Sequence, residues 1–260
     1  MRIATWNVNS IRMREQLVAD WLVRVQPDLL LLQETKCEAA QFPVAAFEAV
    51  GYAANVVGQK SYNGVAILSR IPVEVVHRFL PGLPEDDVQA RYIELQIQDA
   101  AGPINVGNLY LPNGNSGGEA GYDYKLRWME LLADRARTLL DADQAMLLAG
   151  DYNVCPTEAD YAPGTLSASD ALVRPETRAR FRILQWLGLT DAVRALQPSG
   201  PAYTFWDYQA GAWPRDHGLR IDHALLSPDL AERLVSATPD RAERGQPQPS
   251  DHVPVVVELA

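Results

Sequence analysis

Cysteine is scarce in this chain: Cys37 and Cys155 are the only two among 260 residues. Two cysteines cannot build the disulfide framework of a small secreted domain. Long apolar runs are missing too, and no stretch approaches the ~20 residues that a helix needs to cross a bilayer. The opening "MRIATWNVNS" has no basic segment followed by a long apolar one, so it reads as a strand and not as a secretion signal. A cytoplasmic protein in a reducing compartment is the expectation. Surplus positive charge is also absent, with 23 Lys and Arg against 33 Asp and Glu, a net charge of −10. Nucleic-acid binding draws most of its strength from phosphate neutralisation, so this balance alone argues against such a partner. Net charge is not a charge map, however. An acidic chain can carry one basic face, or hold a metal ion that neutralises phosphate locally.

What is present is a long series of strand-like runs. "IATW" (3–6) is followed by Leu17, Val18, Trp21, Leu22 and Val25 at helical spacing over 11–25, a helix that Pro27 ends. "LLLLQET" (29–35) is apolar throughout at its start and reads as a strand buried on both faces. Further strands are expected at 64–70, 73–79, 92–98 and 104–111. A Gly-rich loop at 112–123 precedes a helix with Leu126, Met129, Leu132, Ala133, Ala136 and Leu140 on one face. "AMLLAGDYN" (145–153) is again a strand, 176–187 a helix, and 203–207, 219–227 and 252–259 strands. A weaker helix is read at 228–235. Strands outnumber helices, and several adjoin without a helix between them, which favours a layered α/β architecture with two sheets. No linker or low-complexity tract interrupts the chain, so residues 1–260 read as one domain. "ATWNVN" and "LAGDYNV" echo one another, each sending an apolar strand into a polar, Asn-bearing end, but the echo is too short to count as a repeat.

Polar residues gather at these strand ends: Asn7, Glu34, Tyr110, Asp151, Asn153, Asp222, Asp251 and His252. Singly, each is explained by a turn or a solvated surface. Asp222 is harder to dismiss, because it lies between Ile221 and the apolar run 224–226, where a lone carboxylate is costly. A histidine is its natural partner, and His252 is the candidate; His223 would face the other way on a regular strand. His77 and His217 have no comparable setting. Glu34 offers the hard oxygen ligands that Mg²⁺ prefers. No Cys/His cluster suggests zinc. Asp151 and Asn153, two residues apart on an extended backbone, would face the same way, one taking a proton from water while the other holds that water or a phosphate oxygen. Protonated His252 and Tyr110 could stabilise charge developing on phosphoryl oxygens.

Six motifs, "TWNVNSIR", "LLLLQETK", "NLYLPNG", "GDYNV", "TFWDYQ…GLRIDHALLS" and "PSDHVPVVVEL", run in order along essentially the whole chain. Together they resemble the exonuclease III / AP endonuclease family of the endonuclease–exonuclease–phosphatase superfamily. The resemblance implies a four-layered α/β sandwich, two mixed sheets packed face to face with helices outside. It implies a Mg²⁺- or Mn²⁺-dependent hydrolase of double-stranded DNA that cleaves 5′ to abasic sites, removes 3′ blocking groups or degrades from 3′ ends, acting as a monomer. By motif, Glu34 matches the principal metal ligand, with Asn7, Asn9 (an acid in some members) and Asp251 at the metal site. Asp151 matches the water-activating residue, Asn153 its neighbour, Tyr110 a phosphate contact, and Asp222 the acid that orients His252. On the substrate side the motifs carry Asn113, Phe205, Trp206, Leu219, Arg220 and Ile221, with Phe205 and Trp206 near the pocket for a flipped-out sugar. A missing base lowers the cost of that flip. Leu219 stands where some members have Trp, so the pocket wall differs.

Arg174, Arg178, Arg180 and Arg182 form a basic cluster that is either a phosphate-binding face or a solvated helix surface, and Lys125 and Arg127 are similar candidates. The Gly-rich loop lacks Gly-Lys-Ser/Thr and is no nucleotide-binding P-loop. Two other readings stand beside DNA repair. One is a phosphohydrolase acting on a lipid or small phosphate ester, which the acidic charge favours. The other is a catalytically inactive binding module, which the complete set Glu34, Asp151, Asn153, Asp222 and His252 argues against.

Overall fold

The run Leu29–Leu32 is apolar at every position because both of its faces are covered. In the computed structural model, which describes residues 1–260, β1 (Arg2–Asn7) and β2 (Leu29–Gln33) pair in parallel, and α1 (Ile11–Val25) makes the crossover between them. Next come α2 (Val44–Glu48), β3 (Ala53–Val57) and β4 (Val65–Ser69). Then follow β5 (Val73–His77), β6 (Tyr92–Asp99), β7 (Gly102–Tyr110), α3 (Gly118–Asp141) and β8 (Ala145–Asp151). The last part holds α4 (Pro175–Trp186), β9 (Thr190–Asp191), α5 (Ala192–Leu196), β10 (Asp222–Leu226), α6 (Pro228–Glu232), β11 (Leu234–Pro239) and β12 (Val255–Leu259). These strands form two six-stranded sheets, ordered β11-β12-β1-β2-β4-β3 and β5-β6-β7-β8-β10-β9.

Strand alternation builds the layers. Ile3, Leu29, Leu31, Val65 and Ile67 point from the first sheet onto Ile93, Leu95, Val106, Leu147 and Ala149 of the second. Their neighbours Ala4, Trp6, Leu30, Leu32 and Leu68 point outward onto Val18, Trp21 and Leu22 of α1 and Phe47 of α2. On the far side Met146, Leu148 and Leu225 meet Trp128, Met129, Leu132, Phe181 and Leu184 of α3 and α4. The result is helix, sheet, sheet, helix, the expected four-layered sandwich.

Polar groups pin the two sheets near one end. Asn108 of β7 donates across the interface to the carbonyls of Leu32 and Ala66, at 2.9 and 2.8 Å, and accepts from Gln33 at 2.7 Å. All are buried. A sheet sliding over its neighbour would strand these groups without partners, so they set the registry of the two sheets. The two sheets also share a local plan. β1 lies between parallel β2 and antiparallel β12, and β8 lies between parallel β7 and antiparallel β10. The echo between "ATWNVN" and "LAGDYNV" therefore marks corresponding central strands of opposed sheets.

Several expected elements differ. Residues 203–207 are not a strand; Phe205 alone makes isolated bridges to Leu219 and His252. The helix read at 228–235 stops at Glu232, and β11 begins at Leu234, where β-branched Val235 and Thr238 prefer extended backbone. β3 was not anticipated, since "AANVV" is short, has no alternating pattern and buries only Val57. α3 starts at Gly118, inside the region read as loop.

Candidate active site

One end of each central strand opens into a cleft of about 630 Å³ between the sheets. Glu34, Tyr110, Asn113, Asp151, Asn153 and His252 line its floor. β1 delivers Asn7, fully buried, whose amide donates to Glu34 Oε1 and to Asp151 Oδ2, each at 2.9 Å. The residues after β2 turn sharply, and Glu34 takes the left-handed φ of 51°. Such a conformation is uncommon outside glycine and is held here by backbone bonds from Val8 and Ser10 to Gln33 and Glu34. β8 delivers Asp151 directly after Gly150, where a Cβ would lie 1.9 Å from the Leu109 carbonyl oxygen of β7. Only glycine permits that approach. Asp151 Oδ1 then accepts the backbone N–H of Asn153 at 2.9 Å, and Asn153 has φ of 49°. Asp151 and Asn153 thus share the cleft through a tight turn, not through the extended backbone expected from their spacing.

His252 faces Asp151 from the other side. Its Nδ1 is 2.8 Å from Asp222 Oδ2 and its Nε2 is 3.8 Å from Asp151 Oδ2. Asp222 is wholly buried, and Thr204 donates to the same Oδ2 at 2.5 Å. Burial opposes charging the His252 ring, but Asp222 and then Asp151 outweigh it and raise the pKa to about 10. The ring is therefore an imidazolium at neutral pH. Burial pushes the Asp151 carboxyl up to about 7, with His252 acting against that rise and Asp222 and Glu34 adding to it. Glu34 behaves oppositely. Burial disfavours its charge, yet Lys36 at 2.8 Å and the Asn7 amide hold it below the usual carboxylate range. Burial, then Glu34 and Asp151, keep the Tyr110 phenol protonated well beyond its ordinary range.

Glu34, Asp151 and His252 each bring a ligand atom within 4.8 Å of the others. A protonated ring has no free lone pair, so the donors that remain are carboxylate oxygens, with the Asn7 amide between them. That hard, anionic set fits a divalent cation of the Mg²⁺ or Mn²⁺ kind. Asp251 lines the cleft and accepts from the Asn9 amide at 3.1 Å.

The substrate-side expectations divide. Asn113, Phe205, Leu219 and Ile221 line the cleft, and the Phe205 ring lies 4.9 Å from that of His252. Trp206 and Arg220 do not. Trp206 is buried behind the loop, donating to Asp216 at 3.0 Å. Arg220 is buried in an ion cluster with Asp160 and Asp191, at 2.7 and 2.8 Å. On an alternating chain, Leu219 and Ile221 face the cleft and Arg220 must face away. Three of the four arginines in the basic cluster already have partners within the chain. Arg178 pairs with Glu158 and Arg180 with Glu130, while Arg174 stacks 3.6 Å over the Tyr122 ring. Arg182 is simply exposed, and Arg127 borders a separate hollow with Tyr124. Lys125 is buried, not surface-exposed. Asn115, Thr165, Asp170 and Arg215, which sequence reasoning missed, line the cleft, as does His217, which it set aside; Lys36, also missed, reaches the site only through its 2.8 Å pair with Glu34. For Lys36 the signal was its place in "QETK"; the others come from loops with no pattern to read.

Residues 4–252 match the profile described as the Endonuclease/Exonuclease/phosphatase family. Exodeoxyribonuclease III of Haemophilus influenzae is 31% identical over 267 aligned residues, covering 100% of both chains. The chain belongs to the exonuclease III / AP endonuclease family. Within that family, an AP endonuclease from Archaeoglobus fulgidus superposes with a TM-score of 0.92 at 37% identity, over 100% of this chain and 99% of that one. A 3′ phosphatase from Neisseria, bound to a product DNA hairpin, gives 0.91 at 37% identity with the same coverage. No helix of this family member is long and apolar enough to cross a membrane.

Proposed function

We propose that this exonuclease III / AP endonuclease family member hydrolyses the P–O3′ bond of double-stranded DNA, 5′ to abasic sites and at 3′ ends, with Mg²⁺ as its ion. The observation that carries this reading is the opposition, across one cleft, of a carboxylate pair joined by Asn7 and an imidazolium held by Asp222. Glu34, with Asn7, Asn9 and Asp251 around it, would hold the cation, leaving Asp151 to act as the base. When bound, it neutralises charge on the phosphoryl group and on the departing oxygen.

The residues of the chain supply the rest. Asp151, a stronger base than a solvent-exposed carboxylate, takes a proton from the attacking water. As the water oxygen bonds to phosphorus, the P–O3′ bond breaks and O3′ leaves as an alcohol after gaining a proton from solvent. His252 donates a hydrogen bond from Nε2 to a non-bridging oxygen, and the Asn153 amide and Tyr110 hydroxyl orient the same group. Phe205, Leu219 and Ile221 form an apolar wall suited to a deoxyribose without its base.

Incision 5′ to an abasic site, removal of a 3′-terminal nucleotide and removal of a 3′ phosphate all break a P–O3′ bond. One catalytic set therefore serves all three, and the cleft loops decide their balance. The reading takes residues 1–260 as one domain acting as a monomer, since the floor draws on both sheets and on both ends of the chain. The test is a labelled duplex with one abasic analogue, incubated with Mg²⁺ or with EDTA, beside an undamaged duplex with a recessed 3′ end. Metal-dependent incision 5′ to the lesion is the expected result. Intact duplexes in both lanes would overturn the assignment.

A further inference from the structure

Lys125 lies in the first turns of α3 with its side chain wholly buried. Its Nζ donates to the carbonyl of Asn153 at 2.6 Å and to that of Asn113 at 3.0 Å. It forms no ion pair with a carboxylate. A buried lysine is costly to the fold, and a leucine or methionine would fill the same space more cheaply. Burial draws its pKa down to about 7, although Asp151 and Asp170 act against that. In either protonation state the amine retains enough N–H groups for both carbonyls, so its hold on them does not depend on pH.

The two carbonyls belong to residues whose side chains meet in the cleft. Asn113 Nδ2 donates to Asn153 Oδ1 at 3.0 Å, and Asn153 Nδ2 donates to the Leu111 carbonyl at 2.9 Å. Asn153 is also the residue in left-handed backbone, a conformation that persists only where its surroundings impose it. Neighbouring residues are shaped around the lysine stem. A Cβ on Gly114 would lie 2.7 Å from Lys125 Cδ and 3.1 Å from Ala171 Cβ. Ala171 in turn donates its N–H to Asn115 at 2.8 Å. The loops after β7 and β8 and the loop around Ala171 thus converge on a single side chain.

We propose that Lys125 is a positioning residue: from behind the cleft it ties the ends of β7 and β8 together, so that the Asn113 and Asn153 amides are held as a pair against the scissile phosphate. This rests on the role given to Asn153 above. A pair of loops misplaced by an ångström can cost about 100-fold in rate while leaving the fold unaltered.

The test is a double-variant cycle on the full chain, using Lys125→Met, Asn153→Ala and their combination, with kcat, KM and the Mg²⁺ dependence measured on the abasic duplex. Lys125→Met is expected to lower kcat by about 10- to 100-fold. Its Mg²⁺ midpoint should stay at the wild-type value, because Glu34 lies on the other sheet. The combined variant should be no slower than Asn153→Ala within about threefold, as expected for residues acting as one unit. A wild-type kcat in Lys125→Met, or losses that multiply, would overturn the proposal. Asn153→Ala at full rate would instead remove the role of Asn153 and this proposal with it. Should Lys125→Met not fold, Lys125→Gln, which keeps N–H donors on an arm one bond shorter, carries the cycle: a smaller loss in kcat that does not multiply with that of Asn153→Ala supports the proposal, and a loss that multiplies overturns it.

Discussion

Asn7 donates one amide hydrogen to Glu34 and the other to Asp151, both at 2.9 Å, and so joins carboxylates delivered by different sheets. Two carboxylates facing one cleft repel each other. The amide offsets part of that repulsion and fixes their spacing before any cation arrives. Asn7→Ala should therefore weaken Mg²⁺ use by about 10- to 100-fold, the usual cost of losing a partner that orients a metal ligand. The Mg²⁺ midpoint of abasic-site incision measures this, and a midpoint equal to wild type would show that the carboxylates need no such brace.

Glu34→Ala removes an oxygen donor outright, so its Mg²⁺ midpoint should rise by at least as much, roughly tenfold or more. Thermal unfolding should change little, since the Glu34 side chain is partly exposed and paired with Lys36 at the cleft edge. The comparison is a metal titration beside a melting curve. Equal titrations for variant and wild type would take Glu34 out of the site.

Asp151→Asn keeps a group of the same shape whose one carbonyl oxygen can still accept the N–H of Asn153, while its amide nitrogen meets the Asn7 amide donor to donor. It cannot accept a proton from water. Single-turnover incision should slow by about a thousandfold or more, with an unchanged circular dichroism spectrum. A loss of less than tenfold would assign the base elsewhere.

The pH–rate profile follows from the two raised groups. Activity needs Asp151 ionised and His252 protonated. It should rise with pH as Asp151 loses its proton near 7, and fall as His252 loses its own near 10. In Asp222→Asn the main influence raising His252 is gone and burial, which lowers it, remains. The alkaline limb should then move to lower pH. An alkaline limb at the wild-type position in that variant would contradict the role given to Asp222.

Asp160 supports stability and not chemistry. Burial works against its charge, but Arg220 and Arg194, at 2.7 and 2.6 Å, hold its carboxyl far below the usual range. The unfolded chain would bind that proton more tightly. The stabilisation is therefore complete above the ordinary carboxylate pKa and is lost as pH falls through the folded value. Asp160→Asn leaves Arg220 buried with half its partners and should cost about 3 kcal/mol at neutral pH. Urea unfolding should show that gap narrowing at about pH 3. A gap that is constant with pH would remove ionisation from the explanation.

Much of the fold and the site was legible because burial writes itself into sequence. A strand covered on both faces must be apolar throughout, so "LLLLQ" and "AMLLAG" announced central strands. A carboxylate inside an apolar run needs a partner, and Asp222 proved to have His252 at 2.8 Å. β3 and β11 were hidden because edge strands bury one face weakly and leave little periodic pattern. Trp206 and Arg220 share motifs with Phe205, Leu219 and Ile221, and a motif does not state which way each side chain turns.

By itself, then, the sequence determined the layered architecture, the polar strand ends that line the cleft and the acid–imidazole pair, because each follows from local patterning and the cost of burying charge. Only the tertiary structure decided that Asn7 bridges the two sheets, that Arg220 serves an internal ion cluster and that Lys125 grips the loops behind Asn113 and Asn153. Those facts depend on distances between segments far apart in the chain, which packing sets and no local pattern encodes.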